Sequence, residues 1–125
     1  MAAIKSAGMK PEMLVRSMVH RMGYRFRLHA KDLPGKPDLV FRPRKKAIFV
    51  HGCFWHQHQD AKCPDGRAPK SNLGYWAPKL ARNVTRDARN LEALKAMGWK
   101  TLVLWECEIL RAPDRMAKKV AAFLR

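Results

Sequence analysis

Apolar residues recur along the first third of the chain at two different periods, and the change of period marks a change of element. From Pro11 to Met22, residues Met13, Leu14, Met18, Val19 and Met22 return at helical spacing, lining one face of a helix. Pro11 suits its first turn and Gly23 its stop. Tyr24-Arg25-Phe26-Arg27-Leu28 then alternates apolar and cationic residues, as a strand with one buried face does. After a turn at Leu33-Pro34-Gly35-Lys36-Pro37, the apolar runs Asp38-Leu39-Val40-Phe41 and Ala47-Ile48-Phe49-Val50 flank Arg42-Pro43-Arg44-Lys45-Lys46. They predict a pair of central strands joined by a tight basic loop.

Further on, residues 59–71 are rich in Pro, Gly, Lys and Asp and read as an exposed loop. Tyr75 to Met97 is helical in pattern, with Leu80, Val84, Leu91, Leu94 and Met97 on one stripe, Pro78 expected in the first turn and Gly98 at the end. Trp99 to Trp105 predicts another strand, both tryptophans belonging to its core, and Pro113 to Leu124 a last helix. The order of helix, three strands, helix, strand, helix implies an α/β fold, a mixed central sheet flanked by helices. With no repeat, low-complexity tract or dividing linker, residues 1–125 are expected to form one domain.

Charge narrows the range of partners. Lys and Arg number 26 against 10 Asp and Glu, a formal net charge of +16 that points to a polyanion. The basic residues are spread along the chain and not gathered on one amphipathic helix, so a membrane surface is not the expected partner. No apolar run approaches the roughly 20 residues that span a bilayer, and residues 1–5 lack the apolar segment of a signal peptide; the expected location is cytoplasmic. Three cysteines cannot all pair within one chain, which leaves metal ligation or burial as small apolar side chains.

The chemistry concentrates in Phe49-Val50-His51-Gly52-Cys53-Phe54-Trp55-His56-Gln57-His58, followed by Cys63. Cys53, His58 and Cys63, with Cys107 brought alongside by the end of a strand, would make a closed tetrahedral zinc site; the alternative is buried free thiols and an exposed histidine. His51 and His56 then remain for proton transfer. Across a hairpin, the start of one strand lies beside the end of the next, so Asp38 and His51 are expected neighbours. Asp38, next to a main-chain carbonyl such as that of Val50, suits a hydrated Mg²⁺ ion, although alone it reads as a turn residue after Pro37. Phe54, Trp55 and Trp76 could wedge into a base stack or pack on the zinc loop. Arg82 and Arg86 could meet phosphates or line a solvated face, and Asp87 could orient a histidine or pair with Arg86. His20 and His29 are expected to be structural.

Glu12, Leu33 to Asp38, Phe49 to His58, Asn83-Val84-Thr85-Arg86-Asp87, Gly98-Trp99 and Trp105-Glu106-Cys107 together resemble the very-short-patch mismatch repair (Vsr) endonucleases, in order over nearly the whole chain. The resemblance implies a restriction-endonuclease-like core with a structural zinc, and an Mg²⁺-dependent nick 5′ to the thymine of a T:G mismatch in duplex DNA; separately, the chain is expected to be a monomer. Carried across, Asp38 is the Mg²⁺ ligand with the carbonyl of Val50. His51 and His56 are catalytic, supported by Glu12 and Asp87. Zinc takes Cys53, His58, Cys63 and Cys107, and Phe54, Trp55 and Trp76 form the wedge. Val50 stands where the family commonly has Thr, and Gln59 to Lys62 lengthen the step from His58 to Cys63. Two other readings of the same residues are a zinc-stabilised DNA-binding module without catalysis and a nickase or restriction-type nuclease with another target.

Overall fold

A computed structural model describes residues 10–53 and 72–125 of the chain. The first helix, α1 (Pro11–Arg21), buries Leu14, Val15, Met18 and Val19; Val15 joins the face its spacing predicts, whereas Met13, expected on that face, is exposed. It stops where Gly23 takes a φ of +84°, a conformation open to glycine without a Cβ penalty. The N–H of Gly23 donates to the carbonyl of His20 and that of Tyr24 to Val19, using carbonyls the helix leaves unpaired.

Four strands follow: β1 (Arg27–Leu28), β2 (Leu39–Phe41), β3 (Lys46–His51) and, beyond helix α2 (Leu73–Ala96), β4 (Lys100–Trp105). They lie side by side in sequence order, β1 and β3 antiparallel to β2, and β4 parallel to β3. Strand β1 is shorter than the alternating pattern from Tyr24 predicts. Its ladder pairs Arg27 with Val40 and Leu28 with Leu39, and β2 ends at Phe41 in the 3-10 turn Arg42–Arg44, so residues upstream of Phe26 have no facing strand. Tyr24 and Phe26 still pack against the core as side chains.

Helices cover both faces of the sheet. On one, Leu39, Phe41, Ile48 and Leu104 meet Leu14 and Met18 of α1, Ile109 of α3 (Glu106–Arg111), and Met116 and Val120 of α4 (Pro113–Leu124). On the other, Val40 and Phe49 meet Leu94 of α2, flanked by Leu91, Trp99 and Val103. Burial on both faces explains why the two central runs are apolar without interruption.

Helix α2 begins earlier than its pattern predicts, after Asn72 at a φ of +55°. Pro78 therefore lies in the second turn and not the first. It has no N–H to offer the carbonyl of Gly74, but both residues are exposed, so water can take that acceptor. The basic loop does structural work as well: Lys46 Nζ donates to the carbonyls of Phe123 (2.6 Å) and Arg125 (3.0 Å), and Arg44 to that of Leu124 (3.1 Å). Cations at the carbonyl end of α4 also suit its dipole. Among the described residues, no helix is long and apolar enough to cross a membrane.

Candidate active site

Three elements bring polar groups to one end of the sheet. Leu39 pairs with Ile48, so the residue before β2 lies beside the end of β3, and Asp38 Oδ2 accepts the N–H of Val50 at 2.6 Å. Helix α1 contributes Glu12 from its first turn. The β1–β2 pairing contributes His29, whose backbone N–H donates to the carbonyl of Asp38. His29 Nε2 stands 2.8 Å from Glu12 Oε1 and 3.9 Å from Asp38 Oδ1. One ligand atom from each of the three lies within 4.8 Å of the others. Arg16, one turn along α1, ion-pairs with Glu12.

The two carboxyls are driven apart electrostatically. Burial pushes Asp38 up to about 6 from its usual 3.8; the Val50 amide opposes the rise and neighbouring Glu12 adds to it. Burial also pushes Glu12 upward, but hydrogen bonds with His29 and Asp38 and the charges of Arg16 and His29 outweigh it, leaving Glu12 below its usual value. A buried carboxyl that resists ionisation beside a second carboxyl that stays ionised is a pair a divalent cation would relieve.

The expected contact of Asp38 with His51 is replaced by one with the amide of Val50. Strand alternation turns the His51 side chain to the face of Phe49, and its ring sits edge-on to Phe49 (5.7 Å) and to Trp105 (5.2 Å), almost fully buried. Trp99 and Trp105 are both half-buried, Trp99 packing against the cluster around Leu94 and Trp105 against His51.

Cys53 and Cys107 also come together. His51 pairs with Trp105 in the parallel register of β3 and β4, so the residues two further along each chain leave the sheet together. The N–H of Cys107 donates to Cys53 Sγ at 3.4 Å. Cys53 is buried and Cys107 half-buried. Phe54, Trp55, His56, His58 and Cys63 lie outside the described residues, as does the loop expected at 59–71.

Trp76 sits near the start of α2, half-buried and edge-on to the exposed Tyr75 at 5.0 Å. Arg82 and Arg86 are exposed further along that helix, with Arg86 bonded to Asn83. Asp87 lines a cavity with Lys31, Leu33, Lys36 and Asn90, beneath the turn that contains Gly35. Gly35 is required there: its φ is +77°, and a Cβ would stand 3.0 Å from Asn90 Cβ and 3.1 Å from Phe49 Cε1.

His29 is the residue sequence reasoning passed over. It was expected to be structural, yet it joins the carboxylate pair. Counting outward from the turn at Leu33 to Pro37 would set Asp32 opposite Asp38; it is the observed pairing of Leu28 with Leu39 that brings His29 there.

Comparison with known proteins bears on the fold and the family. The fold resembles that of a homing endonuclease I-Bth0305I catalytic domain, with a TM-score of 0.65, 21% identity, and 93% of this chain and 94% of that one covered. It is thus the fold of a nuclease catalytic domain. Residues 1–62 match the family model described as DNA mismatch endonuclease Vsr. The chain is 52% identical over 109 residues to the type II nicking enzyme V.XorIIP of Xanthomonas oryzae, covering 87% of this chain and 78% of that protein. It is 36% identical to the DNA mismatch endonuclease Vsr of Escherichia coli, covering 87% and 68%. The chain belongs to the Vsr family of DNA endonucleases.

Proposed function

We propose that the protein, acting as a monomer, nicks one strand of duplex DNA at a T:G mismatch, with Mg²⁺ held at Asp38. One observation carries the reading: a carboxylate fixed by the Val50 amide at the end of β3 faces a second carboxylate and an imidazole, in a chain with 16 excess positive charges. The two carboxylates fit a hard divalent ion that keeps several waters. Asp38 would hold it with the carbonyl of Val50, and the ion would polarise the scissile phosphate and offset charge on the leaving oxygen.

The chain's own side chains do the rest. His51 and His56 would take a proton from the attacking water and return one to the leaving oxygen, with Asp87 and Glu12 in supporting roles, Glu12 acting at the Asp38 end, across the sheet from the His51 ring. Phe54, Trp55 and Trp76 wedge into the stack, at a cost of a few kcal/mol per step that a mispaired step resists least. Arg82 and Arg86 meet phosphates and set position, not sequence. Cys53, His58, Cys63 and Cys107 hold a structural zinc, a role that the approach of Cys53 to Cys107 supports.

The test is cleavage of a T:G duplex with and without Mg²⁺. Asp38→Ala should abolish the nick and leave binding intact; full cleavage by that variant would remove Asp38 from the mechanism. A second reading keeps the chemistry and changes the target, and is favoured by relatives at 52% and 42% identity that carry the name type II nicking enzyme. Equal cutting of T:G and fully paired duplexes would select it.

A further inference from the structure

Among the described residues, the cluster at the end of the sheet holds more than a hard, all-oxygen site needs. The additional group is His29, from the strand edge opposite Asp38. Its backbone has a φ of +48°, in the left-handed region that few residues other than glycine enter and where histidine is among the exceptions. A residue held there is fixed by its surroundings, and such positions gather at ligand clamps. Here the surroundings are the N–H bond from His29 to the Asp38 carbonyl and the contact of its ring with Glu12.

The distances bear on what the ring does. Around an octahedral ion with ligands at about 2.1 Å, adjacent donors are about 3.0 Å apart and opposite donors about 4.2 Å. His29 Nε2 is 2.8 Å from Glu12 Oε1 and 3.9 Å from Asp38 Oδ1, close to one adjacent and one opposite pair. The side chain is 51% exposed, so an ion can reach that nitrogen without a core opening. Imidazole suits transition ions, whereas Mg²⁺ prefers oxygen and water.

We infer that His29 is a nitrogen ligand to the divalent cation at Asp38, and that it tilts the site toward Mn²⁺ relative to Mg²⁺. This rests on the cation site proposed above. Without an ion, the same nitrogen bonds Glu12 and keeps that carboxylate turned toward Asp38. In the bound state the ring exchanges that contact for the metal.

The experiment is Mn²⁺ binding to the full chain, followed by the paramagnetic resonance signal of the free ion, with Mg²⁺ as competitor. Wild type, H29N and D38N are compared; asparagine tolerates the left-handed backbone but lacks the ring, and thermal melting checks that each variant folds. H29N should lose on the order of tenfold in Mn²⁺ affinity and less than about twofold in Mg²⁺ affinity. The spin-echo modulation from a coordinated ¹⁴N should be present in wild type and absent in H29N. An unchanged Mn²⁺/Mg²⁺ preference in H29N, or a persistent ¹⁴N modulation, overturns the assignment. If D38N loses both ions while H29N keeps the wild-type preference, only the part given to His29 fails. If D38N binds both ions as wild type does, the cation site at Asp38 fails and His29 with it.

Discussion

Replacing Asp38 by asparagine should make the metal-free protein more stable at neutral pH while removing the proposed cation site. The carboxyl titrates near 6 in the folded protein against 3.8 ordinarily, because it is buried beside Glu12. At about 1.36 kcal/mol per unit, that difference sets a ceiling of about 3 kcal/mol. Glu12 shifts the other way, so part of the penalty is returned within the pair, and a gain of about 1–2 kcal/mol is expected. Asparagine keeps the geometry: its carbonyl can accept the Val50 N–H and its amide can donate to Glu12. For the sign, a carboxyl whose folded value is raised contributes stability below its unfolded value, and that contribution is lost as pH rises through about 6. Glu12, lowered from 4.5, contributes above that value and loses its part on acidification, so the window that isolates Asp38 runs from about 4.5 to about 6. Urea unfolding with a chelator, on both sides of this window, measures the effect. Wild type should lose stability across it while D38N does not, and Mg²⁺ added above it should restabilise wild type alone. An advantage of D38N that is the same on both sides, or a loss above the window, would refute the electrostatic account.

Gly35→Ala should cost about 1–3 kcal/mol, since the residue holds a positive φ and a Cβ would crowd Asn90 and Phe49; an unchanged urea midpoint would show that the turn can shift. Ile48→Ala, at a position with no exposure between α1 and the sheet, should cost about 2–5 kcal/mol in the same measurement, and less than about 1 would place it outside the core. Metal analysis of purified protein should find about one zinc per chain, lost in Cys107→Ala, whereas normal folding with far less than one would refute the structural site.

The elements easiest to read in the sequence were those whose local signals agreed with their final burial. Helix α1 carries a proline at its start, a glycine past its end and a stripe between them, and β2 and β3 are apolar because helices cover both sides of them. Short or partner-dependent elements were not legible. Helix α3 has six residues, too few to repeat a helical period twice, and the length of β1 is set by where β2 stops. Pro78 was misplaced because its fit to a first turn set the helix start too late, past Asn72, which takes the N-cap without making a side-chain cap bond. At the site, Asp38 and Val50 could be brought together by hairpin counting, but the approach of Glu12 and His29 depends on how α1 and β1 dock. No local pattern carries that information.

The parallel pairing of β3 with β4 has a consequence for the newly made chain. Its two strands are separated by the whole of α2, and such distant pairings form late because a long loop must close first. Cys53 and Cys107 meet only when that closure is complete, whereas the cations are present from the start. A half-formed molecule therefore carries its full positive charge before the end of the sheet that brings Cys53 to Cys107 exists.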